Sequence, residues 1–318
     1  MPVAPPPPPT PGMELHNVVA IAILVGCNAA AVPEPVPEPA PHEPFTPVPH
    51  AVEPTATPDL AFGVGFELRR PIHDGRLTLV PIVTTSTRPE RTFITLHQGM
   101  AQGLVGVREG GATEAVTVSN RSDQTLVILG GEIIIEGHQD RVIARKAVIP
   151  PNTSQSIAVW CAELGRASGP ESFRHSGAIA ELSLRRALRG DQFVVWSLID
   201  VINAREGLHP DTGTYRHAAA KHTNAANLAR RDRITAQLEA LEERDRIVGV
   251  AVAVDGRVVA IDRFATAALY RELEPLLLAS YLPTTTGTAK PTPRIGPADV
   301  RAFSGSAPAV NDAASILR

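Results

Sequence analysis

From Phe62 onward the chain is a succession of short apolar runs separated by turn residues. AFGVGFEL, RLTLVPIV, RTFITL, GLVGV, EAVTVSN, QTLVIL, EIIIEG, RVIA and SQSIAVWCAEL all have strand length. Arg-Pro, Gly-Gly, Asn-Arg-Ser-Asp and Pro-Pro-Asn-Thr stand between them. Strands repeating at intervals of about 8 to 12 residues predict a β-sandwich or jelly-roll-like half. Alternation is clearest in the last run. There Ile157, Val159, Cys161 and Glu163 fall on one face and Ala158, Trp160 and Ala162 on the other, so Cys161 and Glu163 are expected to project side by side.

After Arg166 the periodicity becomes helical. GAIAELSLRRAL predicts one helix stopped by Gly190. Asp191 is placed to cap the next, which carries Phe193, Trp196, Leu198, Ile199 and Ile202 before Gly207. Residues about 217 to 246 predict a longer amphipathic helix, with Leu228, Ile234, Leu238 and Leu241 inward and Glu242, Glu243 and Arg244 on a solvated face. VGVAVAVDGRVVAIDRF predicts a hairpin whose Asp255-Gly256 pair suits a type I′ turn. A last helix is expected over about 265 to 281, with Leu269, Leu273 and Leu276 to Leu278 inward. The expected fold class is therefore α+β: an N-terminal β-sandwich-like half, a helical half, and a C-terminal β-hairpin plus helix. No linker-like composition interrupts residues 60–285, which predicts a single domain there, and residues 286–318 are expected to be a disordered tail.

Composition changes this picture at the N-terminus. Many of the 30 prolines crowd the first 60 residues, so residues 28–59 predict an extended Pro-rich tether rather than a packed core. Ahead of it, the apolar run Val18 to Val25 ends in Leu24-Val25-Gly26-Cys27, which resembles the lipobox of bacterial lipoprotein signal peptides. That reading makes residues 1–27 a signal-like leader, Cys27 a lipidated N-terminus, and the protein membrane-anchored and extracytoplasmic. A chance apolar run in a cytoplasmic protein is the alternative. No stretch reaches the roughly 20 apolar residues that span a bilayer. Cys27 and Cys161 flank the Pro-rich segment, so no structural disulfide is expected. A net charge of −3 with interspersed signs, and no basic patch with interleaved aromatics, argues against a nucleic-acid partner.

The candidate chemistry concentrates between Gly130 and Arg166. Glu132 and Glu163 are candidates for general acid and base if one is desolvated. Cys161 is a candidate nucleophile if an adjacent arginine lowers its pKa. Gln139, Arg141 and Arg166 are candidate substrate-binding residues, the two arginines being suited to a bidentate grip on a phosphate. The plainer readings stand beside these: Cys161 as a small buried hydrophobe, and the Glu and Arg residues as an ion-pair network that holds strand register. His138 lies six residues after Glu132, and His217 and His222 are five apart. No HxxxH or HExxH occurs, so neither a metal nor a cofactor is expected.

Residues from about 64 to 283 resemble a bacterial and archaeal domain family named for its association with ADP-ribosylglycohydrolases and rhodanese-phosphatases. The family pattern is an apolar strand leading into Gly-Glu-Glu-Leu, then Gln-Asn-Arg, then a strand ending in Cys-Val-Glu-x-Gly-Arg-Trp, with a Val-Trp pair and a closing hairpin and helix further on. Gly131-Glu132, Gln139-Asp140-Arg141 and Cys161-Ala162-Glu163-Leu164-Gly165-Arg166 match the three motifs. Val195-Trp196, Asp255-Gly256-Arg257 and Leu278-Ala279-Ser280-Tyr281 match the later landmarks. Ile133 stands in place of the second Glu, Asp140 in place of Asn, and Ala167 in place of Trp. These changes remove a pair of adjacent carboxylates and a possible stacking surface. The family's name implies a genomic link to ADP-ribose and NAD-derived nucleotides. The resemblance therefore implies binding or processing of a phosphate-bearing small molecule, and a non-enzymatic, membrane-tethered lipoprotein is the alternative.

Overall fold

The structure is a computed structural model that describes residues 65–85, 92–285, 295, 297–306 and 311–312. All of these lie in the compact unit Thr55–Arg318. The leader, the Pro-rich tether and Cys27 lie outside the described residues.

The chain begins with β1 (Phe66–Leu68), β2 (Ile72–Asp74), β3 (Leu77–Thr84), β4 (Phe93–Thr95) and a short helix α1 (Leu96–Ala101). Then come β5 (Val105–Glu109), β6 (Ala115–Asn120), β7 (Thr125–Ile128) and β8 (Glu132–Glu136). They are followed by β9 (Arg141–Ile143), β10 (Ala147–Ile149), β11 (Thr153–Cys161) and β12 (Phe173–Ile179). Four helices come next, α2 (Leu182–Ala187), α3 (Gln192–Arg205), α4 (Arg216–Ala220) and α5 (Ala225–Glu239). The described chain closes with β13 (Ile247–Val254), β14 (Arg257–Arg263), α6 (Ala267–Tyr281), α7 (Pro297–Ser306) and β15 (Asn311–Asp312).

The strand that positions the site is β8. Its isoleucines alternate as a pleated strand requires. Ile134 faces the core made with β5, β6, β9 and β11, while Ile133 and Ile135 face α2, α3 and α4. Each such side chain, fully buried, contributes on the order of 1.5–3 kcal/mol. The sheet containing it has the order β12-β8-β9-β11-β6-β5. It curls far enough for its outer strands to meet: Arg108 bridges to Ser172, and the Glu109 N–H donates to the Glu171 carbonyl at 2.8 Å. A three-stranded sheet, β10-β7-β4, packs on the inner face through Ile94, Leu126, Ile128 and Ile149. This is the sandwich-like half, and α+β is the fold class.

The third sheet has the central order β1-β3-β13-β14. Val250 and Val252 of β13 face α5 and α6, and Val248, Ala251 and Ala253 face the opposite side with Val300 of α7. Asp255 and Gly256 take φ of 48° and 74°, as the expected type I′ hairpin turn requires.

Four expectations need correction. Gly177–Ile179 belongs to β12, so the helix read over GAIAELSLRRAL is confined to α2. Gly177, at φ 78°, sits in a register shift between His175 and Ile179, and pairing with β8 overrides the helical periodicity there. The helix expected over 217–246 is broken at Asn224. That residue is extended (φ −63°, ψ 159°) and its side chain caps α5 by accepting the Asn227 N–H. Strand β11 ends at Cys161, so Glu163 lies beyond the alternation. The segment read as a disordered tail contributes α7, with Ile295 and Val300 buried, and β15, which pairs in parallel with β14.

Candidate functional site

The loop between β8 and β9 brings Gln139, Asp140 and Arg141 beneath the chain that leaves β11. There the Ala162 N–H donates to the Asp140 carbonyl, and the Asp140 N–H donates to Glu163 Oε2 at 3.0 Å. Five of the six predicted residues join in one hydrogen-bonded chain. Arg166 Nε and Nη2 donate to Glu163 Oε2 at 3.0 and 2.7 Å. The Glu163 carbonyl accepts from Gln139 Nε2 at 3.0 Å. Arg141 Nη1 donates to Gln139 Oε1 at 2.7 Å and to Cys161 Sγ at 3.0 Å.

Glu132 stands apart. It begins β8, whereas Arg166 binds the carbonyls of Glu136 and Gly137 at the far end, four residues or roughly 13 Å of strand away. The partners of Glu132 are the Leu129 N–H at 2.6 Å and His175 Nε2 at 3.2 Å. Glu132 and Glu163, the candidate acid and base, share no partner: Glu132 bonds at the start of β8 and Glu163 beside the loop that follows it.

Asp140, read from the sequence only as a motif position, and Arg216 complete the cluster. Asp140, fully buried, accepts a two-point contact from Arg216, with Nε to Oδ2 at 3.0 Å and Nη2 to Oδ1 at 2.6 Å. It also accepts from Thr214 Oγ1 at 2.7 Å and from the Glu136 N–H at 3.0 Å. Gln192 closes the open edge of β11 by bonding both the N–H and the carbonyl of Cys161. The only signal for Asp140 was its place between Gln139 and Arg141. Arg216 is 76 positions further on and had no signal.

The backbone is tight here. A side chain at Gly169 would put its Cβ 2.0 Å from the Gly137 carbonyl oxygen. Glu136 adopts φ 78°, a conformation that strains a non-glycine residue and is held by bonds from its backbone to Asp140 and Arg166.

Electrostatics separates these residues by role. Burial works against the Glu163 charge, but hydrogen bonds from Arg166, Thr212 and the Asp140 N–H outweigh it and hold the carboxyl below its ordinary value. Glu163 is therefore an anion and lacks the raised pKa of a general acid. Burial pushes the Cys161 thiol up, and the Arg141 guanidinium opposes this without reversing it, so the condition for a nucleophilic thiolate is not met. Arg141 is 2% exposed and its Nε has no partner. Arg166 spends its donors inside the protein, on Glu163, Asp140 and the carbonyls of Glu136, Gly137 and Ser168.

A cavity of about 300 Å³ opens beside the cluster. It is lined by Glu136, Glu163, Arg166, Pro170, Thr212, Thr214, Arg216 and His217, so only Glu163 and Arg166 of the predicted set reach it. The Arg216 side chain is 37% exposed, and its Nη1 has no partner among the described residues. Among the described residues, no group of three or more His, Cys, Asp and Glu side chains is placed to hold a metal ion, and no helix is long and apolar enough to cross a membrane.

Fold and cluster together define an α+β domain whose curled sheet carries an arginine–carboxylate network beside a small polar cavity. Residues 65–313 match the family profile of the ARG and Rhodanese-Phosphatase-superfamily-associated Protein domain, ARPP-1, and the chain belongs to that family. Comparisons with curated proteins and with solved structures give no match.

Proposed function

We propose that the domain binds a phosphate-bearing small molecule in the cavity at Arg216, of the ADP-ribose or NAD-derived kind that the family's name suggests. One observation carries this reading. Buried Asp140 holds Arg216 at two points, which fixes the guanidinium plane and leaves Nη1 with two unused N–H groups at a cavity wall. A planar fork oriented in advance loses little freedom on gripping phosphate oxygens. The strained backbone of Glu136 on the same wall fits a site maintained for binding. Chemistry at Cys161 or Glu163 has weaker support, given a thiol pushed up and a carboxylate clamped by arginine.

The test is a thermal-shift screen with ADP-ribose, nucleotides and sugar phosphates on the wild type and on Arg216→Lys. A ligand at a hundred times its Kd stabilises the folded state by about 2.7 kcal/mol, a readily measured rise in melting temperature. The rise is expected in the wild type and strongly reduced in Arg216→Lys. No rise with any phosphate compound overturns the reading.

A second reading concerns location. Leu24-Val25-Gly26-Cys27 followed by the Pro-rich stretch favours a domain exported, lipidated at Cys27 and tethered to a membrane, with a binding or structural role. Cys27→Ser is then expected to release the protein from the membrane fraction. Wild-type protein found in the cytoplasm with an intact N-terminus refutes it.

A further inference from the structure

We infer that the cavity recognises its ligand through one phosphate and adjacent hydroxyl groups and not through a base, so that its ligand class is a sugar monophosphate or the sugar-phosphate end of a larger molecule. This rests on the binding reading above and narrows it.

Few of the groups that line the cavity remain available to a ligand. Arg166 and Glu163 satisfy each other and the surrounding backbone. Thr214 donates to Asp140 and accepts the Arg216 N–H. What remains is the Nη1 edge of Arg216, the exposed ring of His217 and one carboxylate oxygen of Glu136. Arg174 holds the other Glu136 oxygen. The first two suit an anion. A carboxylate oxygen only accepts hydrogen bonds, so Glu136 calls for a ligand hydroxyl.

Charge sets the number of phosphates. Arg166 and Glu163 pair off, Arg216 is paired with Asp140, and Glu136 with Arg174. The site is close to neutral before the ligand enters. One phosphate finds the free Arg216 edge, and a second would face the Glu136 carboxylate with no further arginine or lysine edge among the described lining residues left to meet it.

Shape and surface exclude the base. Among the described residues lining the cavity there is no Phe, Tyr or Trp, so a base finds no flat apolar face to stack on. Ala167 occupies the position next to Arg166 where an indole would offer such a face. The volume, about 300 Å³, lies at the bottom of the roughly 300–1,000 Å³ range of small-ligand pockets. A dinucleotide-sized ligand entering by its sugar phosphate leaves its base outside.

The experiment is calorimetric titration of the full chain with ribose 5-phosphate, ADP-ribose, AMP, inorganic pyrophosphate, inorganic phosphate and ribose. Ribose 5-phosphate and ADP-ribose are expected to bind within about threefold of each other, AMP and pyrophosphate no more tightly, and phosphate alone about tenfold more weakly, a difference of about 1.4 kcal/mol. Glu136→Gln turns the acceptor edge partly into a donor. It is expected to weaken ribose 5-phosphate binding by roughly three- to tenfold, the worth of one or two hydrogen bonds, while phosphate, which loses no contact and no longer meets the Glu136 charge, is not weakened. Arg216→Lys, with its melting temperature checked, is expected to weaken every phosphate compound. AMP or ADP-ribose binding more than tenfold tighter than ribose 5-phosphate, with the Arg216→Lys loss intact, overturns this inference and leaves the binding reading standing. Binding of no phosphate compound, or binding indifferent to Arg216→Lys, overturns both.

Discussion

At one end of β8 the carboxylates of Asp140 and Glu163 are held by arginines, and at the other the carboxylate of Glu132 is held by a histidine. The arginine end opens on a cavity, and there hydrogen bonds led by that from Arg166, whose guanidinium does not titrate in the working pH range, hold the Glu163 carboxyl below its ordinary value. The histidine end is closed. The His175 side chain is 3% exposed, its Nδ1 accepts the Gly177 N–H at 2.9 Å, and its Nε2 therefore carries the proton that goes to Glu132. His97 Nδ1 lies 3.2 Å from the same Nδ1, and burial first, with the electrostatic influence of the neighbouring His175 ring next, holds the His97 pKa below its ordinary value. A carboxylate gripped at two points by an arginine, as Asp140 is by Arg216, orients the remaining guanidinium edge toward a ligand. The Glu132 carboxylate is paired instead with a buried imidazole and has no guanidinium edge beside it to orient toward a ligand. That difference places the functional reading at Asp140 and Arg216.

The largest expected effect concerns the strand both ends share. β8 precedes Ala167 and β12 follows it, and the two are paired, so neither cluster has a complete sheet without the other half of the chain. Cleavage between Gly165 and Gly169 is expected to unfold both ends together, read by loss of the circular dichroism signal. Two independently folded fragments would show that the comparison joins separate domains.

Next in size is removal of the anions. Asp140→Ala leaves Arg216 without its buried partner, takes one of two carboxylates from Arg166, and is expected to cost about 3–5 kcal/mol in urea denaturation. Glu132→Gln keeps one acceptor oxygen, for the Leu129 N–H, sets its amide nitrogen against the His175 N–H, and is expected to cost about 1–3 kcal/mol. Equal losses would erase the distinction between the two ends.

The pH dependence sharpens it. His97 is held below its ordinary pKa. His222, in the helical half, is pushed down to about 4 by burial. The unfolded chain binds protons at about 6.5 that these residues refuse when folded, so stability is expected to fall as pH drops below about 6.5. The His222 contribution amounts to roughly 3 kcal/mol once pH 4 is reached. Glu163 behaves differently. Its folded pKa is depressed, so its contribution is present above the unfolded carboxylate value of about 4.3 and is lost only as pH falls through the lower folded value. Melting curves at pH 7, 5.5 and 4 for the wild type and His222→Gln check this, and a flat wild-type profile between pH 7 and 5 contradicts it.

The smallest effect is at Cys161. A thiol buried and pushed up should react with a disulfide reagent only on unfolding, and Cys161→Ser should cost no more than about 1 kcal/mol, since a hydroxyl also accepts from Arg141. Rapid labelling of the native protein would restore the nucleophile reading.

Much of the fold is legible in the chain because it is local. The alternating run before Asp255-Gly256 can only be a strand entering a tight turn, and Asp191 caps α3 by accepting the Val194 N–H, as its position before an apolar periodic stretch implies. The site is legible in part for the same reason: Gln139, Arg141, Cys161, Glu163 and Arg166 come together because β9 and β11 are paired neighbours.

The sequence by itself determined the strand-rich half, the helical half, the hairpin turn and the family. Each follows from short-range patterning of side-chain volume, turn residues and caps. Only the tertiary structure decided that GAI of residues 177–179 is a bulged strand and not a helix, because sheet pairing with β8 outweighs periodicity over a few residues. It also decided which charges meet. Asp140 binds Arg216 across 76 positions, and Glu132 and Glu163 part company along β8. Ion pairing acts through distance in space, and a chain read one residue at a time carries no measure of that distance.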